Sequence, residues 1–179
     1  MAEMTPRQRV EAAISHREPD RLPLDIGGGN STTLLVETYE RLTEYLGISA
    51  PPTRLMSKAF RTAELDEATL VFLGSDVRPV RTKGPVNWTA PPSDPGTFVD
   101  LFGVTWQYQE YAHGQYWEPV GAPLADATIE DLEDYPWPDP GDPGYCAGLV
   151  GEVCQLYENT DYALLGDSVI KGFWEPYLL

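Results

Sequence analysis

Cysteine and histidine are nearly absent from this chain of 179 residues, which carries only Cys146, Cys154, His16 and His113. A disulfide framework is thereby excluded. The two cysteines lie about two turns apart in a segment that reads helical, where their side chains cannot meet. Both are expected to be reduced, half-buried packing residues. Neither histidine has a His or Cys beside it at zinc-ligand spacing, so both read as solvent-facing or hydrogen-bonded structural residues. Positive charge is scarce as well. Twelve Lys and Arg face 28 Asp and Glu, a formal net charge of −16. Such a surface repels phosphate backbones and anionic lipids, which argues against nucleic acid and membrane as partners. Long apolar runs are missing too. None approaches the roughly 20 residues of a bilayer span, and the first 30 residues carry Thr-Pro and mixed charges instead of an apolar signal segment. A cytoplasmic location is expected.

What is present suffices for one packed core: 42% of the residues are hydrophobic, and the length suits a single domain or part of one over residues 1–179. Thr5-Pro6-Arg7-Gln8 combines an N-cap, a first-turn proline and a capping-box glutamine, and predicts a short helix ending near His16. Leu22-Pro23-Leu24-Asp25-Ile26 reads as a buried strand broken by Gly27-Gly28-Gly29-Asn30. From Ser31 or Thr32, apolar residues at helical spacing run to Leu46, with Gly47 as the stop. A further helix over about 64–73 leads into a strand at 75–80. Residues 84–123 alternate prolines and glycines with aromatics and read as an inserted hairpin. Thr128 opens a capped helix, prolines at 136–140 forbid regular structure, 145–159 is helical and 162–166 is a final strand.

Alternating strands and helices call for a parallel sheet buried on both faces. Three or so strands cannot provide that alone. The apolar ending Trp174-Glu175-Pro176-Tyr177-Leu178-Leu179 lacks a helix stop, so truncation or dependence on a partner is expected.

Five ordered segments carry a resemblance: Met4-Thr5-Pro6-Arg7-Gln8-Arg9 with His16 to Pro23, Leu73 to Val80, Asp100 to Trp106, Pro123 to Ala127, and Tyr135-Pro136-Trp137-Pro138. Together they resemble the uroporphyrinogen decarboxylase family, in its methyltransferase-like branch, over essentially the whole chain. The resemblance implies α/β architecture: the amino-terminal half of a (β/α)₈ TIM barrel, with a leading helix and an inserted aromatic hairpin. Since such barrels need about 250 residues, the later strands would be missing.

In a barrel, catalytic groups sit at the carboxyl ends of the strands, which groups Asp25 with Gly27, Gly28, Gly29 and Asn30, Asp76 with Arg78, and Asp167 with Ser168 around one mouth. Asp76 and Asp167 are the catalytic candidates. Asp25, the glycines, Asn30, Arg78, Ser168 and Glu175 are the substrate-binding candidates. The glycine loop would admit a ligand close to backbone amides or is simply a tight turn. Asp76 matches the aspartate that, in the family's decarboxylases, accepts hydrogen bonds from pyrrole nitrogens; the alternative is a turn residue bonded to backbone. Arg78 and Arg81 suit substrate carboxylates, with surface pairing the plainer role for Arg81. Glu175 suits an acid or base, or a carboxylate in a first helical turn.

The decarboxylases also carry an arginine-bearing loop after the first strand, whereas residues 22–40 hold no Arg or Lys. The resemblance therefore implies corrinoid-linked, zinc-dependent methyl transfer acting on a small methylated compound or thiol. The corrinoid would sit on a partner protein, the zinc ligands outside this chain, and the chain alone would be inactive. The alternatives are tetrapyrrole decarboxylation in porphyrin biosynthesis and a non-catalytic, aromatic-lined binding module. The aromatics also suit a minor core or a homodimer contact.

Overall fold

The computed structural model of the chain describes residues 3–112, 114–167 and 178–179. In chain order come helices α1 (Pro6–Ile14) and α2 (Val36–Leu46), strands β1 (Arg54–Ser57) and β2 (Thr62–Glu64), helix α3 (Glu67–Phe72) and strand β3 (Val77–Arg81). Strands β4 (Thr97–Val99), β5 (Thr105–Tyr111) and β6 (Gly114–Pro119) follow, then α4 (Ile129–Asp134), a 3₁₀ turn (Pro143–Cys146), α5 (Leu149–Asn159) and β7 (Ala163–Asp167). The architecture is mixed α/β. Its sheets are small: β1 with β2 antiparallel, β3 with β7 parallel, and an antiparallel β4-β5-β6 meander. No closed barrel is formed among the described residues. None of their helices is long and apolar enough to cross a membrane.

The chain divides into two compact units; of the described residues, one holds 3–82 and 148–167, the other 83–112, 114–147 and 178–179. In the first, α1 starts as its sequence dictates. The Thr5 hydroxyl accepts from the Gln8 N–H while the Gln8 side chain accepts from the Thr5 N–H. The helix ends at Ile14 with Ser15 as its C-cap, and His16, whose φ of 54° lies in the left-handed region, turns the chain as the Arg17 N–H closes onto the Ala12 carbonyl. Helix α2 begins later than expected. The Thr32 hydroxyl accepts from the Gly29 N–H and the Thr33 hydroxyl donates to the Ala63 carbonyl, so neither caps a helix. Leu35 instead bridges to Thr62, and the helix opens at Val36.

Glu64, where the helix was expected to open, is instead the last residue of strand β2. The helix signal was real but started too early: Asp66 is the N-cap of α3, its carboxylate accepting from the N–H groups of Ala68 and Thr69. Residues 22–26 form no ladder strand. Pro23 has no N–H to give, and the N–H of Leu24 goes to the Asp76 carboxylate at 2.8 Å, a side chain taking the place of a strand neighbour. Among the described residues, only the Leu24 carbonyl, which accepts from the Asp76 N–H, makes a strand-like bond from this segment.

Strands β3 and β7 run parallel in continuous register from Val77↔Ala163 to Arg81↔Asp167. Val77, Val80 and Ala163 are buried, together with Ala12, Tyr39, Ala63 and Leu70. That core also holds charge, since Arg9, Asp76 and Arg78 are buried in it.

In the second unit the expected hairpin is a three-stranded meander. Phe98, Trp106, Tyr108 and Trp117 share one face, Phe98 stacked on Trp106 and Trp117 meeting Phe98 and Tyr108 edge-on. Asp100 holds the β4–β5 turn by accepting from the N–H groups of Phe102 and Val104 and the Trp106 indole. Asp142 likewise accepts from the N–H groups of Val86, Asn87 and Gly144. Cys146 and Cys154 are exposed, not half-buried as expected, because the 3₁₀ turn and the outer face of α5 carry them.

Candidate functional site

The parallel pair has two ends, and the candidates divide between them. Asp76 immediately precedes β3, at its amino end. Arg81 and Asp167 face each other in register at the carboxyl ends, about 16 Å away along the strand. Asp76 therefore does not join Asp25 and Asp167 at a common mouth. Its side chain is buried and fully engaged. Oδ1 accepts from Arg9 Nη1 at 2.6 Å and Arg21 Nη2 at 2.9 Å; Oδ2 accepts from Arg21 Nη1 at 2.7 Å and from the Leu24 N–H. Four donors saturate a carboxylate and leave no acceptor for a substrate. The Asp76 assignment is corrected accordingly: the residue ties α1 and the 20–24 segment to β3.

Arg9 completes that cluster. Its guanidinium reaches Asp20 through Nε at 2.6 Å and Nη2 at 2.9 Å, as well as Asp76 and the Met4 carbonyl. The Asp20 carboxyl is held far below the usual carboxylate range, first by Arg9 and then by the Met4 N–H. Asp142 is also lowered, chiefly by the Val86 N–H. Burial pushes the Asp66 carboxyl up, yet the Thr69 and Tyr39 hydroxyls outweigh it and leave it lowered.

A carboxyl group depressed in the folded state stabilises above its unfolded pKa, near 4, and that contribution drains away as pH falls towards the folded value. For Asp20 the expected signature is a difference, because relief of the net negative charge acts on the whole chain. The gap in urea midpoint between wild type and Asp20→Asn is constant from about pH 7 to 5 and narrows below about pH 4. A gap that widens on acidification contradicts the assigned pairing.

Arg78 is likewise structural. It is buried, forms a two-point pair with Glu67 at 2.7 Å and 2.7 Å, donates to the Ser75 and Val77 carbonyls, and lies 3.4 Å over the Tyr162 ring. Every face of the guanidinium is in use, which corrects its placement among substrate-binding residues.

At the carboxyl end the loop of residues 25–30 meets Arg81, whose Nη2 donates to the Gly27 carbonyl at 2.8 Å. The loop amides are not an anion nest. Gly27 N–H donates to the Thr32 carbonyl, Gly28 N–H to Asp25 Oδ1 at 3.0 Å and Gly29 N–H to the Thr32 hydroxyl. Asn30 Oδ1 accepts from the Thr62 hydroxyl. The glycines serve conformation and close approach instead. Gly27 has a φ of +83°, and a Cβ there would press on Leu70; a Cβ on Gly28 would collide with the Asp25 carboxylate and crowd Leu165. Gly27→Ala is therefore expected to cost about 1–2 kcal/mol from the left-handed backbone alone. A chemical denaturation curve checks this, and an unchanged midpoint would show the loop conformation to be different.

Asp25, Gly27, Gly28, Gly29 and Asn30 are thus gathered near Arg81 at one end, while Asp76 and Arg78 serve the other. Only the backbone of Asp167 is described, and Ser168, Glu175 and His113 lie outside the described residues. No group of three or more His, Cys, Asp or Glu side chains among the described residues is placed to hold a metal ion. The Arg9–Asp20–Arg21–Asp76 cluster escaped sequence reasoning, since nothing in local spacing links residues 11 to 67 positions apart. A cue existed: arginines flanking an acidic turn ahead of a buried strand need carboxylate partners. Compared with known proteins, the chain matches no family model, no curated protein and no solved structure.

Proposed function

We propose that the chain is the amino-terminal part of a uroporphyrinogen decarboxylase-like (β/α)₈ barrel, and that its parent enzyme performs corrinoid-linked, zinc-dependent methyl transfer on a small methylated compound or thiol. The observation that carries this choice over tetrapyrrole decarboxylation is the engagement of Asp76. The decarboxylation reading relied on that aspartate as an acceptor for pyrrole N–H groups, and here two arginines and a backbone N–H occupy it. The absence of Arg and Lys from residues 22–40 points the same way, because nothing on that loop would grip a substrate bearing many carboxylates. Support for the barrel comes from the parallel β3–β7 pair, whose chain passes through α5 between the strands, and from a loop-bearing carboxyl end where such folds place ligands.

In this reading Arg81 and Asp25 bind and orient the substrate's polar groups at the rim, and the glycines keep side chains out of its way. Zinc, when bound in such an enzyme, keeps a thiolate nucleophilic at neutral pH. The described residues do not fit it: they present no ligand set, so the metal and the partner-borne corrinoid are assigned to none of them. The test uses the polypeptide that contains this chain, incubated with zinc, a methylcorrinoid and a small thiol, and separately with uroporphyrinogen. Loss of the methyl–cobalt absorbance with uroporphyrinogen unchanged is the expected result. Carbon dioxide release from uroporphyrinogen without corrinoid demethylation would overturn it.

A further inference from the structure

Helix α4 sits on the second unit with its amphipathic order reversed. Asp131 and Asp134 line a cavity together with residues 122–127, Tyr135 and Pro136, so the carboxylate side of the helix is turned toward its own unit. At about 100° per residue, Ile129 and Leu132 point the other way. They are 72% and 36% exposed, and no residue of α4 is buried. The Trp137 indole donates to the Leu132 carbonyl at 2.9 Å, which sets its exposed ring at the end of the same helix. A surface helix ordinarily buries its apolar stripe and gives its charges to water. This one does the opposite. It is held by its capping box, the Thr128 hydroxyl accepting from the Asp131 N–H and the Asp131 carboxylate from the Thr128 N–H, and not by packing.

The charge near this face has one sign. Residues 84–147 contain no Lys or Arg, and Asp126, Glu130, Asp131, Glu133, Asp134 and Asp139 flank the apolar side chains along the chain. We propose that Ile129, Leu132 and Trp137 form a docking face for a basic amphipathic segment of a partner protein, whose apolar side chains cover the three while its Lys and Arg meet the carboxylates. The face belongs to the second unit alone and serves whatever reaction the parent enzyme performs.

Charge decides among occupants. A second copy brings another chain of net charge −16, and an anionic lipid surface or a nucleic acid is repelled in the same way. A purely ionic partner leaves the three apolar side chains wet. Only a segment carrying both apolar and cationic groups answers both. The contact is small, since six helical residues extend about 9 Å, and a face of that size suits a reversible complex burying less than about 1,200 Å².

The test is calorimetric titration of the 179-residue chain with three synthetic peptides: an amphipathic Leu–Lys helix, the same peptide with Glu in place of Lys, and oligolysine of equal charge. The Leu–Lys peptide is expected to bind saturably, at least about tenfold more tightly than oligolysine and less tightly as salt rises, while the Glu peptide does not bind. Ile129→Ser with Leu132→Ser should weaken the Leu–Lys peptide about tenfold and leave both oligolysine binding and the unfolding midpoint in place, because these side chains already face water. Glu130→Gln with Glu133→Gln should weaken it too, whereas Glu152→Gln with Glu158→Gln on α5 should not. Equal affinity for the Leu–Lys peptide and oligolysine, or a Leu–Lys affinity untouched by the serine pair, overturns the docking face. So does an unfolding midpoint lowered by the serine pair, which would show the face covered within the chain. A concentration-dependent dimer in sedimentation that the serine pair abolishes overturns it as well, by giving the face to a second copy.

Discussion

Asp76→Asn is expected to lower the stability of the first unit by about 3–5 kcal/mol, the loss typical when one partner of a buried ion pair is removed. The carboxylate is fully buried and is shared by Arg9 and Arg21. Neutralising it leaves the Arg9 guanidinium, only 5% exposed, with Asp20 as its one carboxylate, and strips Arg21 of both its charged bonds. The Leu24 N–H loses its acceptor's charge as well. Folded domains are stable by only about 5–15 kcal/mol, so the variant should unfold at much lower urea and lose its purchase on α1 first. Urea denaturation followed by circular dichroism reads this directly. A variant as stable as wild type but without activity would restore Asp76 to catalysis.

Arg78→Ala carries the second large effect, expected at about 2–4 kcal/mol, because it removes packing and leaves buried acceptors unpaired. Its guanidinium answers the Ser75 and Val77 carbonyls and covers the Tyr162 ring, while the partner carboxylate of Glu67 is itself exposed. Most of the loss should therefore come from the carbonyls and the ring contact, and little from the ion pair. Glu67→Gln separates the two contributions. It should cost less than about 1 kcal/mol, and a larger loss would shift the weight back to the charge pair.

Much of the local architecture could be read from the chain. Thr5, Pro6 and Gln8 form a capping box within four residues, and Gly47 ends α2 as its position dictates, because both signals act over one helical turn. Misreadings arose where a side chain answered a distant backbone. Thr33 bonds to Ala63 and delays α2, and Asp76 captures the Leu24 N–H and dissolves an expected strand. The candidate site was half legible. Glycines around an aspartate marked the loop of residues 25–30, but sequence could not show that its amides are satisfied internally by Thr32 and Asp25. Sequence favoured Arg78 over Arg81 as the substrate-binding arginine, and the structure reverses that weighting. Their difference comes from position: Arg78 lies over Tyr162 near the amino end, whereas Arg81 reaches Gly27 at the other.

The β3–β7 pair carries a buried ion-pair cluster at its amino end, and the proposed ligand chemistry belongs to its carboxyl end. The most direct measurement is turnover in the proposed methyl transfer per folded molecule, compared across Arg81→Gln, Asp25→Asn and Asp76→Asn. The expected result is that the first two lose turnover per folded molecule at a stability cost of only about 1 kcal/mol each, since each also gives up one bond to the glycine loop, while Asp76→Asn retains turnover in whatever fraction remains folded. Full turnover in both rim variants, with none in folded Asp76→Asn, would contradict it.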